Sequence, residues 1–201
     1  MLINDTAAPT TESQTALRLA SNVGAYLVLI AGVVTICFAV LVTLRSYSPV
    51  WYWDQWELAS ELFANKGHYP FSALWYQHNE HRIPILKLLS LADLYLFSGR
   101  NVLLFVSIWV AQLAQFVLSV WAVKRFGNLS GIQFRTVIGL IAFCEFNPAQ
   151  LENFSWAYQS VFFLVFLFGA LSIAFLVLYG VDHESLTRRR GVVLIGLCLV
   201  S

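Results

Sequence analysis

The sequence predicts an all-α integral membrane protein, a polytopic helical bundle with a long first loop carrying juxtamembrane helices. Three observations carry that expectation. The chain of 201 residues is 59% hydrophobic and only 11% charged, with a mean hydropathy of +0.70, which is more apolar surface than a water-soluble domain has interior to hold. Its uncharged runs are long: 26 positions at residues 19–44 and 23 at residues 101–123, each enough to cross a hydrocarbon core of about 30 Å at 1.5 Å per residue. Between the runs lie polar stretches dense in Trp and Tyr, the residues that favour membrane–water boundaries.

The same composition excludes several classes. A net charge of +1 with no basic arm or stripe speaks against nucleic acid as a partner. Cys37, Cys144 and Cys198 all fall in apolar segments and are expected as small buried hydrophobes, neither a disulfide framework nor a metal site.

Taken in order, residues 1–22 form a polar tail and the first span covers about 23–44. That run is too long for the core of a signal peptide and reads as a retained anchor. A loop follows over 46–82, where Pro49 stops the helix and a short amphipathic helix is expected near residues 53–64. Tyr52, Trp56, Ala59 and Phe63 would make its apolar stripe, and Asp54, Glu57 and Glu61 its acidic face. Pro84 suits a helix start, but residues 83–98 reach only about 24 Å and contain Lys87 and Asp93. Further spans are expected at about 101–123, 132–147 and 157–180. An apolar segment at 191–201 is half the length of a span, so a longer polypeptide is expected.

Charge leaves two arrangements open. The basic loops at 124–135 and 182–190 belong in the cytoplasm. With the N-terminus also inside, the 46–82 loop lies outside, residues 83–98 lie along the interface, and seven Lys/Arg are inside against five. With residues 83–98 as a span and the N-terminus outside, the count is ten against two. Charge counting prefers the second; the short length and internal charges of 83–98 oppose it.

Chemistry-bearing residues concentrate at the loop. Asp54 and Glu57 sit in Trp53-Asp54-Gln55-Trp56-Glu57, where partial desolvation by indoles would suit a general base; as plainly, they are acids favouring a helix N-terminus. His78-Asn-Glu80-His81-Arg82 gathers four ionisable groups in five positions, readable as a phosphate clamp, an ion-pair network with Asp54 or Glu57, or, with no specific zinc spacing, a metal site. Arg82 and Lys87 are the natural phosphate partners. Glu145 and Glu152 flank a second polar connection; Glu145 reads best as a boundary residue, Glu152 as either that or a site residue.

Together Tyr52-Trp-Asp54-Gln-Trp-Glu57, His78-Asn-Glu80-His81-Arg82-Ile-Pro84, Phe97-Ser-Gly99-Arg-Asn101 and Asn147-Pro-Ala-Gln-Leu-Glu152-Asn-Phe-Ser-Trp156 resemble the N-terminal half of the GT-C membrane glycosyltransferases. That group uses polyprenyl-phosphate sugars and includes protein mannosyltransferases and lipid A aminoarabinose transferases. The usual acidic pair is here Asp54-x-x-Glu57, and the usual Pro-Pro is Ile83-Pro84. The resemblance implies an extracytoplasmic first loop, residues 83–98 on the membrane surface, and Asp54 and Glu152 on one side. It also implies a multi-pass protein of a bacterial inner membrane with a lipid-linked sugar donor as partner, Asp54 and Glu57 as catalytic acids, and His78, Glu80, His81, Arg82, Lys87 and Glu152 around the substrate, with a divalent cation as a possible cofactor. The competing class is a polytopic transporter or non-catalytic membrane subunit; a hydrolase using a metal on His78, Glu80 and His81 is a third.

Overall fold

The computed structural model describes residues 11–77 and 82–179, and all regular structure in them is helical. Seven α-helices follow in order: α1 (Thr11–Ser46), α2 (Gln55–Ala64), α3 (Pro84–Phe97), α4 (Val102–Phe126), α5 (Gly131–Glu145), α6 (Leu151–Ser155) and α7 (Ser160–Tyr179), with 3₁₀ turns at Phe71–Trp75, Pro148–Gln150 and Ala157–Gln159. Among the described residues, three segments are long and apolar enough to cross a membrane: α1, α4 and Ala157–Leu178. They turn large apolar side chains outward, among them Leu27, Ile30, Val110, Phe166 and Ile173. A water-soluble monomer rarely exposes apolar surface on this scale.

Helix α1 begins at Thr11 and is 36 residues long, so the tail expected through residue 22 is helical from there on. Its first turns carry Glu12 near the N-terminus, which suits the helix dipole, and strong helix formers in Ala16, Leu17 and Arg18. The loop helix is also shifted. Its buried face is Gln55, Leu58, Ala59 and Leu62, while Tyr52 and Trp56 are exposed. Of the expected apolar stripe Ala59 is buried, while Tyr52 and Trp56 are exposed, as rings placed at a bilayer boundary are. Cys37 and Cys144 are exposed on outward helix faces, not buried; against lipid an apolar outward face needs no protein cover. Residues 191–201 lie outside the described residues.

The direction of each helix follows from which residues meet. Asn22 accepts from Arg135, Gly32 packs on Gly139 and Ala142, and Thr43 donates to the Phe154 carbonyl, so α1 and α5 run parallel. Asn101 at the head of α4 donates to the Ser48 and Val50 carbonyls beyond the foot of α1, and Trp109 donates to Thr43 Oγ1; α4 therefore runs antiparallel to α1. Because residues 48 and 101 touch, everything between them starts and finishes at one end of the bundle. Helix α3 thus lies at the end where the loop begins, whereas charge counting preferred an arrangement in which residues 83–98 cross. Helix α5 has only 15 residues, about 22 Å at 1.5 Å each. The chain completes its climb through the 3₁₀ turn and α6, then α7 returns along α4.

Two kinds of packing hold the bundle. Between α1 and α5 the contact is backbone to backbone: a Cβ on Gly139 would stand 2.8 Å from the Leu29 amide and Val28 carbonyl, and one on Gly32 2.8 Å from the Gly139 carbonyl. Ala25, Thr35 and Ala39 continue this row of small buried residues along α1, and small residues are what let helices approach closely in lipid. Around α4 the packing is aromatic, with Trp109, Phe146, Phe154 and Phe163 at ring separations of 5.1–6.2 Å. Gly139→Val should therefore lower the thermal stability of the full chain in detergent, at a cost of about 1–3 kcal/mol for overpacking. Gly24→Ala, whose added Cβ meets nothing within 4 Å, should leave it unchanged or raised.

Candidate functional site

The site is assembled at the end where residues 48 and 101 meet. Helix α3 ends in two left-handed residues, Ser98 and Gly99, and Asn101 is left-handed too, at φ 63°; Asn tolerates that region better than most side chains. Asp93, 1% exposed, reaches from α3 to the exposed amides of the α4 N-terminus, accepting from Asn101 N at 2.7 Å and Leu103 N at 2.6 Å. It caps a helix other than its own, and its charge lies at the positive end of the helix dipole. Asn101, 2% exposed, donates to the Ser48 and Val50 carbonyls and accepts from Gln55 Nε2 at 2.7 Å. Gln55 Oε1 accepts the Tyr52 amide, Trp51 Nε1 donates to the Gly99 carbonyl at 2.7 Å, and Tyr47 donates to the Arg100 carbonyl.

A second pin holds the far part of the loop. Lys87 on α3 is 5% exposed. Its ammonium binds Glu61 Oε1 at 3.1 Å and the carbonyls of Ala73 and Tyr76 at 3.1 and 3.3 Å. Those contacts occupy its three donors, so the phosphate-binding role expected of Lys87 is corrected to a structural one. The ion pair is between Lys87 and Glu61, not the one foreseen between the His78–Arg82 cluster and Asp54 or Glu57. Tyr69 donates its hydroxyl to the same Glu61 carboxylate; burial, then Glu61 itself, push this phenol well above its ordinary 10.0.

Between these pins, Trp53 adopts a left-handed backbone, φ 49°, uncommon for a bulky residue and a form of local strain that gathers at functional sites. Asp54 follows at the entrance to α2, with its carbonyl accepting the Glu57 amide. Both acids act electrostatically on Tyr158 in the second connection. Tyr52 and Trp53 stack on each other at 5.8 Å, and the Trp156 ring stands edge-on to both, at 5.8 and 6.3 Å. Glu152 lines a cavity of about 420 Å³ together with Trp51, Tyr52, Gln55, Asn101 and Trp156. The loop acids and the second connection thus meet at one end of the bundle.

Of the other sequence candidates, Arg82 is exposed just before α3, while His78, Glu80 and His81 lie outside the described residues. No group of three His, Cys, Asp or Glu side chains suited to a metal occurs among the described residues. Glu145, expected as a snorkelling or hydrogen-bonded boundary residue, is half-buried and accepts from Ser119 at 2.7 Å. Sequence reasoning passed over Gln55, Asp93 and Asn101. A signal was present: Lys87, Ser90 and Asp93 recur every third residue in an otherwise apolar helix, and all three are buried, so they mark the protein-facing side of α3.

Comparison with known protein families, curated proteins and solved structures gives no match, and the functional reading rests on the site alone.

Tyr69 supplies a pH test. Its folded pKa is raised, so the stability from its bond to Glu61 is complete below about pH 10 and is lost as pH rises above that value. Thermal unfolding followed from pH 9 to 11.5 should show a steeper alkaline loss in the unmodified chain than in Tyr69→Phe; parallel curves would contradict this.

Proposed function

We propose that this chain acts in a multi-pass membrane glycosyltransferase of GT-C type, moving a sugar from a polyprenyl-phosphate donor to an extracytoplasmic acceptor with inversion. The observation that supports the reading most is the contact of Tyr52 and Trp53, which lead into Asp54, with Trp156 of the second connection, beside a cavity lined by Glu152. Carboxylates gathered in an aromatic setting at the end of a bundle of apolar helices suit a reaction between a lipid-borne donor and a water-borne acceptor.

In this mechanism Asp54 takes the proton from an acceptor hydroxyl as that oxygen attacks the anomeric carbon. The bond from that carbon to the phosphate oxygen breaks on the opposite face, and polyprenyl phosphate leaves with the electron pair. Positioning of the two reactants and stabilisation of the departing charge supply most of the rate. Arg82 is the cation assigned to that phosphate, since Lys87 is engaged with the loop; His78, Glu80 and His81 are assigned to the same donor. Glu57 is assigned as the second acid of the pair, and Glu152 orients the sugar.

The test is transfer of labelled sugar from a lipid-linked donor by the full chain in proteoliposomes. Asp54→Asn should reduce transfer by about 10²–10⁴-fold, the usual contribution of a general base, with an unchanged melting profile. Arg82→Ala should weaken it, whereas Lys87→Ala should lower stability before it alters chemistry. Undiminished transfer by Asp54→Asn would overturn the assignment.

A further inference from the structure

A second, larger cavity of about 810 Å³ opens among α4, α5 and α7, lined by residues deeper in the bundle than the loop acids. Its volume lies in the range that holds small organic ligands, about 300–1,000 Å³. One wall is polar, formed by Gln112, Gln115, Glu145 and Asn153; the other is α7, with Phe162, Phe166 and Ile173. Ionisable and amide side chains set among apolar spans are costly, and they mark binding sites or pathways.

The polar wall carries amide N–H donors on its glutamines and asparagine, but two of its acceptors are under-used. Glu145 accepts from Ser119 at 2.7 Å and more weakly from Gln112 at 3.4 Å, which leaves its carboxylate with unused lone pairs. Gln115 Oε1 is buried and accepts no hydrogen bond among the described residues. No Lys, Arg or His lines the cavity among those residues. Against a wall with an acid and no cation, a ligand with N–H donors and a positive charge fits the unused lone pairs of Glu145 and the buried Gln115 Oε1. We propose that the cavity binds an amphipathic primary or secondary ammonium, its N–H groups between Glu145 and Gln115 Oε1 and its apolar body along α7. This site is separate from Asp54 and does not depend on the transferase reading.

The test compares 4-phenylbutylamine with its neutral counterpart 4-phenylbutanol by calorimetric titration of the purified full chain in detergent. The ammonium should bind at least about tenfold more tightly than the alcohol, and Gln115→Leu should weaken the ammonium alone by about tenfold or more, the scale of one hydrogen bond to a charged group. Glu145→Gln should erase the preference. Equal binding of amine and alcohol to the unmodified chain overturns the proposal whether or not the variants fold, as does a preference that survives Glu145→Gln.

Discussion

The contact on which the rest of this structure depends is the one between Asn101 and the chain just beyond α1. Its amide donates to Ser48 and Val50 and accepts from Gln55, while its own amide N–H is held by Asp93. A buried side chain with these groups satisfied stabilises modestly, but losing any partner strands a desolvated polar group at about 1–3 kcal/mol. The constraint is topological as much as energetic. By tying residue 101 to residues 48 and 50, it makes α2 and α3 an excursion that leaves and rejoins the bundle at one end. Every later feature follows: α4 descends antiparallel to α1, α5 climbs parallel to it, and residues 146–159 arrive beside the loop acids.

Much of the helical layout was legible in the sequence because spans obey simple rules of length and charge. Pro84 and the turn around Gly99 bound α3 as expected, and Ser130 with Gln133 forms a capping box at the start of α5. What could not be read was which face of a boundary helix is buried. Trp and Tyr near a membrane satisfy both phases at once: Trp56 is exposed and Gln55 beside it is buried.

The candidate site was legible in its acids and illegible in its scaffold. Asp54, Glu57 and Glu152 stood out as charges in an apolar chain. Their convergence depends on long-range hydrogen bonds from Asp93, Asn101 and Gln55, between residues 46 or more apart in the case of Gln55 and Asn101, which no local pattern announces. Glu145 shows the converse. A lone acid at a helix end reads as a snorkelling residue, but the serine and glutamine side chains that hold it come from α4, and only the fold turns it inward.

The account stands or falls on whether the loop and the second connection share one side of a membrane. Single cysteines at His68, Ala149 and Leu129, in a full chain freed of Cys37, Cys144 and Cys198, would be exposed in intact cells to an impermeant thiol reagent. The structure predicts that positions 68 and 149 are labelled together and that position 129 is protected until the membrane is opened. Labelling of 129 with 68, or of 149 without 68, would contradict the excursion that Asn101 closes and remove the ground for a shared site.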